Sequence, residues 1–194
     1  MQKVGLFFGT FDPIHKGHIN LAEYFADNTD LDCIWFIISP QNPFKQDSKM
    51  LSNTKRLKLV SLAIKSNPKL HVSNIEFDMP TPNYTIQTLK KIKAQYPKNS
   101  FILILGEDNL SSFDQWKDYN KILSDYELYI YPRKNSKTIP KNLKGHSSIK
   151  KCDAPQIEIS SSEIRDGIKK GKDLSKLIPE SSWNYINEKS FYKL

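Results

Sequence analysis

The sequence has little with which to build a disulfide, a metal centre or a membrane anchor. Of 194 residues only two are cysteine, Cys33 and Cys152, and neither stands at a metal-ligand spacing. Cys33 lies inside an apolar run and reads as a buried thiol; a reducing compartment argues against a link to the distant Cys152. No stretch approaches the roughly eighteen apolar residues of a membrane span. The chain enters its first apolar segment without the charged-then-apolar pattern of a secretory leader, so a cytoplasmic location is expected. Acidic residues are the minority charge, 21 against 29 lysines and arginines, for a net charge of +8. Such an excess suits nucleic acid, an anionic membrane face or small polyanionic substrates. The lysines are spread along the chain, with mild enrichment over 133–151 and 169–176. No zinc finger, RNA-recognition aromatic motif or arginine tract accompanies them. Most read as solvated surface and the rest as steering of a small polyanionic substrate, with neither nucleic acid nor membrane expected as a partner.

What is present is an alternation of short apolar runs with helical patterns. The length suits one domain, 1–194, with a real core. Buried strands are expected at 4–8, 33–38, 70–77, 101–105 and 126–131, with a further short strand suggested by Ile157 and Ile159. Amphipathic helices are expected from Gly17 to about Asn28, at 53–66, 84–94, 160–171 and 182–190, with one or two short helices in 110–123. In 53–66 the residues Thr54, Lys55, Arg56 and Lys58 are assigned to the polar side. Residues 39–47 and 78–83 read as loops, and 133–148 as a lysine-rich surface loop. This order implies an α/β fold, a Rossmann-like doubly wound, mostly parallel sheet with helices on both faces.

The most informative stretch runs from Val4 through Gly9, Thr10, Phe11, Asp12, Pro13, Ile14, His15, Lys16, Gly17 and His18. It is a strand, a glycine-opened turn and two histidines at a helix entrance. Such an entrance carries unpaired N–H groups and about half a positive charge, and favours phosphate. Either histidine alone could be an ordinary packed residue. Together the residues resemble the Gly-Thr/Ser-Phe-x-Pro-x-His-x-Gly-His signature of the nucleotidyltransferase superfamily. A second stretch, Ile159-Ser160-Ser161-Ser162-Glu163-Ile164-Arg165, reads first as a helix start with Ser160 and Glu163 as a capping box. It also resembles the superfamily's Ile-Ser-Ser-Thr-x-Ile-Arg motif, with Ser162 in place of threonine.

Three further features narrow the resemblance. His15 stands where the pantetheine-phosphate branch usually has threonine. Pro82 to Leu89 resembles the Ser-Tyr-Thr-x-x-Thr-Leu segment of bacterial nicotinate-nucleotide adenylyltransferases. Gly106-Glu107-Asp108-Asn109-Leu110, followed by Phe113 and Trp116, resembles their Gly-x-Asp-x-Leu…Phe…Trp segment. With Ser39-Pro40-x-x-Pro43-x-Lys45, the likeness runs from residue 4 to about 165. It implies adenylyl transfer from ATP, with Mg²⁺, to nicotinate mononucleotide, giving deamido-NAD and pyrophosphate. It also implies that His15 and His18 contact the ATP phosphates as the catalytic pair. Gly9, Thr10 and Phe11 would belong to the ATP site, with Asp108 near the adenosine ribose and Ser161, Ser162 and Arg165 on the triphosphate. Trp116 would stack on the pyridine ring, Thr85 would receive its carboxylate, and Lys45 would lie near the acceptor phosphate or carboxylate. Lys117 departs from the family's usual aromatic and could attract a carboxylate or point to water; Glu107 departs from a usual small residue. Structural readings stand beside these: Trp116 as core, Tyr84 as a packing residue, and Thr85 and Asp108 as helix caps. Adenylylation of nicotinamide mononucleotide or another phosphorylated acceptor, a cytidylyltransferase, and a nucleotide-binding or RNA-binding regulatory protein remain the alternatives.

Overall fold

The computed structural model describes residues 1–40, 50–134, 138–156 and 158–193. Among these, six strands form one sheet: β1 (Lys3–Gly9), β2 (Cys33–Ile38), β3 (Leu70–Ser73), β4 (Ser100–Gly106), β5 (Glu127–Tyr131) and β6 (Ile149–Lys151). Their spatial order is β3-β2-β1-β4-β5-β6 and every pair is parallel. The helices are α1 (Lys16–Asn28), α2 (Asn53–Ile64), α3 (Thr85–Gln95), α4 (Glu107–Leu110), α5 (Tyr119–Asp125), α6 (Ser161–Lys169) and α7 (Glu180–Glu188). Single 3₁₀ turns occupy Phe113–Gln115 and Lys141–Leu143.

The strands are continuous apolar runs because both faces of the sheet are covered. Side chains alternate between faces, so each strand feeds two cores. Phe7, Ile34, Phe36, Ile102, Ile104 and Tyr129 pack with α1, α2, α6 and α7 on one side. Val4, Leu6, Ile37, Leu103, Leu105 and Ile130 pack with α3 and α5 on the other. Cys33 belongs to the second core and is buried with a free thiol; Cys152 is likewise free. No helix among the described residues is long and apolar enough to cross a membrane.

Three expectations need correction. The strand expected over 70–77 stops at Ser73, and Asn74 to Phe77 turn back on themselves through the Phe77 N–H to Asn74 carbonyl bond, 2.9 Å. No strand forms at Ile159, and Ile157 lies outside the described residues; the sixth strand is instead Ile149–Lys151, which pairs with Leu128 to Ile130. Arg56 does not lie on the polar side of α2. It is fully buried, one turn before Leu59 and Val60 on the same face.

Candidate active site

The strand order reverses beside β1: β2 and β3 lie on one side, β4, β5 and β6 on the other. Ligands in open α/β sheets bind at the carboxyl ends of the strands where this switch occurs. Gly9 of β1 and Gly106 of β4 end there, with Ser39 following β2.

The turn after β1 is built tightly. The Gly9 carbonyl accepts the Ser39 N–H at 2.9 Å. A Cβ on Gly9 would lie 2.8 Å from Phe11 Cζ, so the Phe11 ring occupies the space a side chain would need. Phe11 takes a left-handed backbone, φ 46°, and turns its buried ring edge-on to Phe7, Phe36 and His18. Arg56 fastens this turn from below. Its Nη1 donates to the carbonyls of Thr10 (2.6 Å) and Ser39 (2.9 Å), its Nε to Leu51 (3.1 Å), and its Nη2 to Asn53 Oδ1 (2.7 Å). Burial lowers the affinity of Arg56 for its proton, but the nearby Asp12 carboxylate opposes this and an arginine stays charged.

Asp12 is the second buried hub. Its Oδ1 accepts the Tyr192 hydroxyl at 2.6 Å and the Leu51 N–H at 3.3 Å. Its backbone carbonyl accepts Arg165 Nη1 at 2.7 Å. Burial, then the Asp12 charge, hold the Tyr192 phenol well above its ordinary range.

His15 caps the start of α1, and His18 follows one turn in. The two rings stack at 3.6 Å between centroids and 24° between planes. The His15 N–H donates to His18 Nδ1 at 3.3 Å, which leaves the His18 proton on Nε2. Both imidazoles are held neutral. Burial, then the Arg133 charge, against a weaker pull from Glu163, brings His15 down to about 4. Burial, then His15 and Arg133, depress His18 as well. Two neutral donors beside two arginines form an anion site whose charge resides in the guanidinium groups.

Helix α6 closes the site from the far end of the chain. The Ser160 side chain accepts the Glu163 N–H and the Glu163 carboxylate accepts the Ser160 N–H, so the expected capping box is formed. Ser161 Oγ donates to the Pro13 carbonyl at 2.9 Å, and Arg165 Nη2 donates to Ser162 Oγ at 3.2 Å. The helical starts of α1 and α6 are thereby tied together through Asp12 and Pro13, although 148 positions separate Pro13 from Ser161.

Beside this grouping, past Gly9 and Thr10, lies a cleft of about 140 Å³. Thr85, Trp116, Lys117 and Tyr84 form its walls. The half-buried Trp116 packs against Phe113 at 5.0 Å, and Lys117 Nζ sits 4.7 Å above the Tyr84 ring. Thr85 is the first residue of α3, with Tyr84 as its cap. Asp108 lies at the start of α4 with Oδ1 3.8 Å from Arg133 Nε.

The structure thus brings His15, His18, Ser161, Ser162 and Arg165 into one grouping and Thr85, Trp116 and Lys117 into an adjoining one, with Gly9 to Phe11 between them. Lys45 lies outside the described residues. Sequence reasoning missed Arg56, Arg133, the hub role of Asp12, and Glu76 and Asn83 in the cleft. The Arg56-Leu59-Val60 spacing was the available signal for the first. Arg133 stands two residues past the end of β5, at the carboxyl end of the sheet where ligands bind.

The strand-turn-histidine arrangement and the serine-arginine helix start are the two stretches that resemble the nucleotidyltransferase motifs, and the structure brings them together. The cytidylyltransferase-like family model matches residues 6–167. Within that class, the chain belongs to the nicotinate-nucleotide adenylyltransferase family. It is 46% identical over 192 residues to a Flavobacterium psychrophilum protein named "probable nicotinate-nucleotide adenylyltransferase", covering 99% of this chain and 100% of that one. A Christiangramia forsetii protein of the same name is 47% identical over 192 residues, covering 99% of each. The fold is similar to that of the Plasmodium falciparum nicotinic acid mononucleotide adenylyltransferase complexed with NaAD, at a TM-score of 0.82, 22% identity, and 99% and 98% coverage.

Proposed function

We propose that this chain transfers the adenylyl group of ATP to nicotinate mononucleotide, releasing pyrophosphate and forming deamido-NAD. It would work as one nucleotidyltransferase domain over 1–194, in the cytoplasm. The observation that carries the reading is the adjacency of two sites: an anion site of two neutral histidines and two arginines, and a cleft walled by Trp116 and Thr85. Transfer between two bound anions needs that pair of sites in contact.

The acceptor is a phosphate monoester with a second pKa of about 6, so it is largely dianionic at neutral pH and needs no strong base. Catalysis is then positioning and charge neutralisation. Mg²⁺ brought by ATP would supply neutralisation of phosphate charge. Among the described residues no three His, Cys, Asp or Glu side chains gather as ligands. In this reading His18 Nε2–H and His15 donate to phosphate oxygens as charge shifts onto them. Arg165, with Ser161 and Ser162, holds the triphosphate from the α6 side, and Arg133 adds charge from the end of β5. Gly9, Thr10 and Phe11 form the tight turn that belongs to the ATP site, and Asp108 receives the adenosine ribose. Trp116 stacks on the pyridine ring, Thr85 receives the carboxylate at the α3 helix start, and Lys117 adds a favourable field. Lys45 belongs to the same proposal, near the acceptor phosphate or carboxylate.

No covalent nucleophile is required, so the transfer is direct and inverts at phosphorus. Removing one donor of this kind costs about 10²–10³ in turnover. His18→Ala is expected to fall by that factor with its fold intact by circular dichroism. Turnover within about threefold of the parent, or retention at a chiral α-phosphorothioate, would overturn the mechanism.

A further inference from the structure

The floor of the cleft holds two buried acceptor atoms that the proposed roles leave unused. Glu76 is only 2% exposed. Its Oε1 accepts the Thr88 hydroxyl at 2.6 Å, while Oε2 is buried with no hydrogen bond of good geometry among the described residues, the Ser39 side chain being the polar group that acts on the carboxyl besides Thr88. Asn83 is 6% exposed. Its Nδ2 faces the Glu76 carbonyl at 3.5 Å, which fixes the amide orientation and turns Oδ1 away, also buried and without a partner among the described residues. Both residues line the cleft together with Trp116 and Thr85.

A buried polar atom left unpaired costs stability, and such atoms persist where a ligand completes them. Both atoms here are acceptors, so what completes them must donate. Resting on the acceptor proposed above, the choice is narrow. Nicotinate mononucleotide has a carboxylate, a phosphate and a pyridinium, none of which donates at neutral pH; its only donors are the two ribose hydroxyls. The geometry points to Glu76 and Asn83 as the pair that reads the ribose diol of the acceptor mononucleotide. Thr88, from the second turn of α3, is the positioning residue that aims the carboxyl. Burial also raises the pKa of Glu76, opposed by its Thr88 and Ser39 contacts. A donor from the ligand supports the ionised form.

The test pairs protein and substrate changes. Glu76→Gln and Asn83→Ala are assayed with nicotinate mononucleotide and with its 2′-deoxy and 3′-deoxy analogues, following pyrophosphate release. With the parent protein, at least one deoxy analogue should lose about 10–100-fold in kcat/KM, the scale of a hydroxyl bonded to a buried charged partner. Each variant should lose a similar factor on the ribonucleotide, mainly in acceptor KM with ATP KM unmoved. Each should then show little further loss on the matching deoxy analogue. Equal deoxy penalties in parent and variants would overturn the assignment. So would a changed preference for nicotinamide over nicotinate mononucleotide with the deoxy penalties intact, since that would place the pair at the pyridine substituent. If Glu76→Gln does not fold, Asn83→Ala decides alone. Absence of turnover by the parent with either pyridine mononucleotide would instead reject the acceptor itself.

Discussion

Replacing Arg56 by Met should destabilise the protein and loosen its site together. Methionine can follow the buried stem but donates nothing. It strands the carbonyls of Thr10, Ser39 and Leu51, which Arg56 now binds at 2.6, 2.9 and 3.1 Å. It also removes one of the cations facing the buried Asp12 carboxylate. An orphaned buried acceptor costs about 1–3 kcal/mol, and breaking one side of a buried charge arrangement about 3–5 kcal/mol. Partial entry of water keeps these from adding fully, so the expected loss is about 3–5 kcal/mol. With a urea slope of about 2–3 kcal/mol/M, the unfolding midpoint should fall by about 1–2.5 M at unchanged slope. Arg56→Lys should recover less than half, because one ammonium cannot serve a fork of carbonyls. Activity should fall in both variants, since the Thr10 and Ser39 carbonyls belong to the turns around the site. A midpoint shift under about 0.3 M for Arg56→Met, with normal turnover, would refute the claim that this arginine fastens the turn.

Other consequences follow from the same geometry. Because the native His15 pKa lies near 4, below the unfolded value of 6.5, the unfolded chain binds more protons between those limits. Stability should therefore be full above about pH 6.5 and fall as pH drops towards 4, by about 3 kcal/mol for this group; a denaturation midpoint flat from pH 7 to 4.5 would contradict it. Gly9→Ala should cost about 1–3 kcal/mol, read by thermal unfolding, because the new methyl meets the buried Phe11 ring at 2.8 Å. Lys117→Ala should leave stability unchanged and raise acceptor KM only about two- to tenfold, the scale of an exposed charge near a ligand. Its effect should shrink in high salt.

Much of this molecule was legible in its sequence because buried parallel strands and amphipathic helices carry strong periodic signals. The turn from Gly9 to His18 was legible for a different reason: glycine, proline and two histidines were placed in a strand-to-helix context where few other chemistries fit. What stayed hidden was long-range. Arg56 reads as a solvated charge until Thr10 and Ser39 are known to end beside it. Glu76 follows a strand that stops at Ser73, and its burial arises from α3 packing over it, which no local pattern encodes. β6 is three residues with two lysines, and it is a strand only because the edge of β5 offers it hydrogen bonds. Asp12 sat inside the recognised motif, yet its Tyr192 partner lies 180 positions away.

The most direct test of the central claim is pyrophosphate release by the purified protein with Mg²⁺-ATP, comparing nicotinate and nicotinamide mononucleotides at equal concentration. The account predicts rapid release with the acid and much slower release with the amide, lost in both cases on His18→Ala. Preference for the amide would keep the transfer chemistry and overturn the roles given to Thr85 and Lys117. Release with neither acceptor would contradict the proposed function.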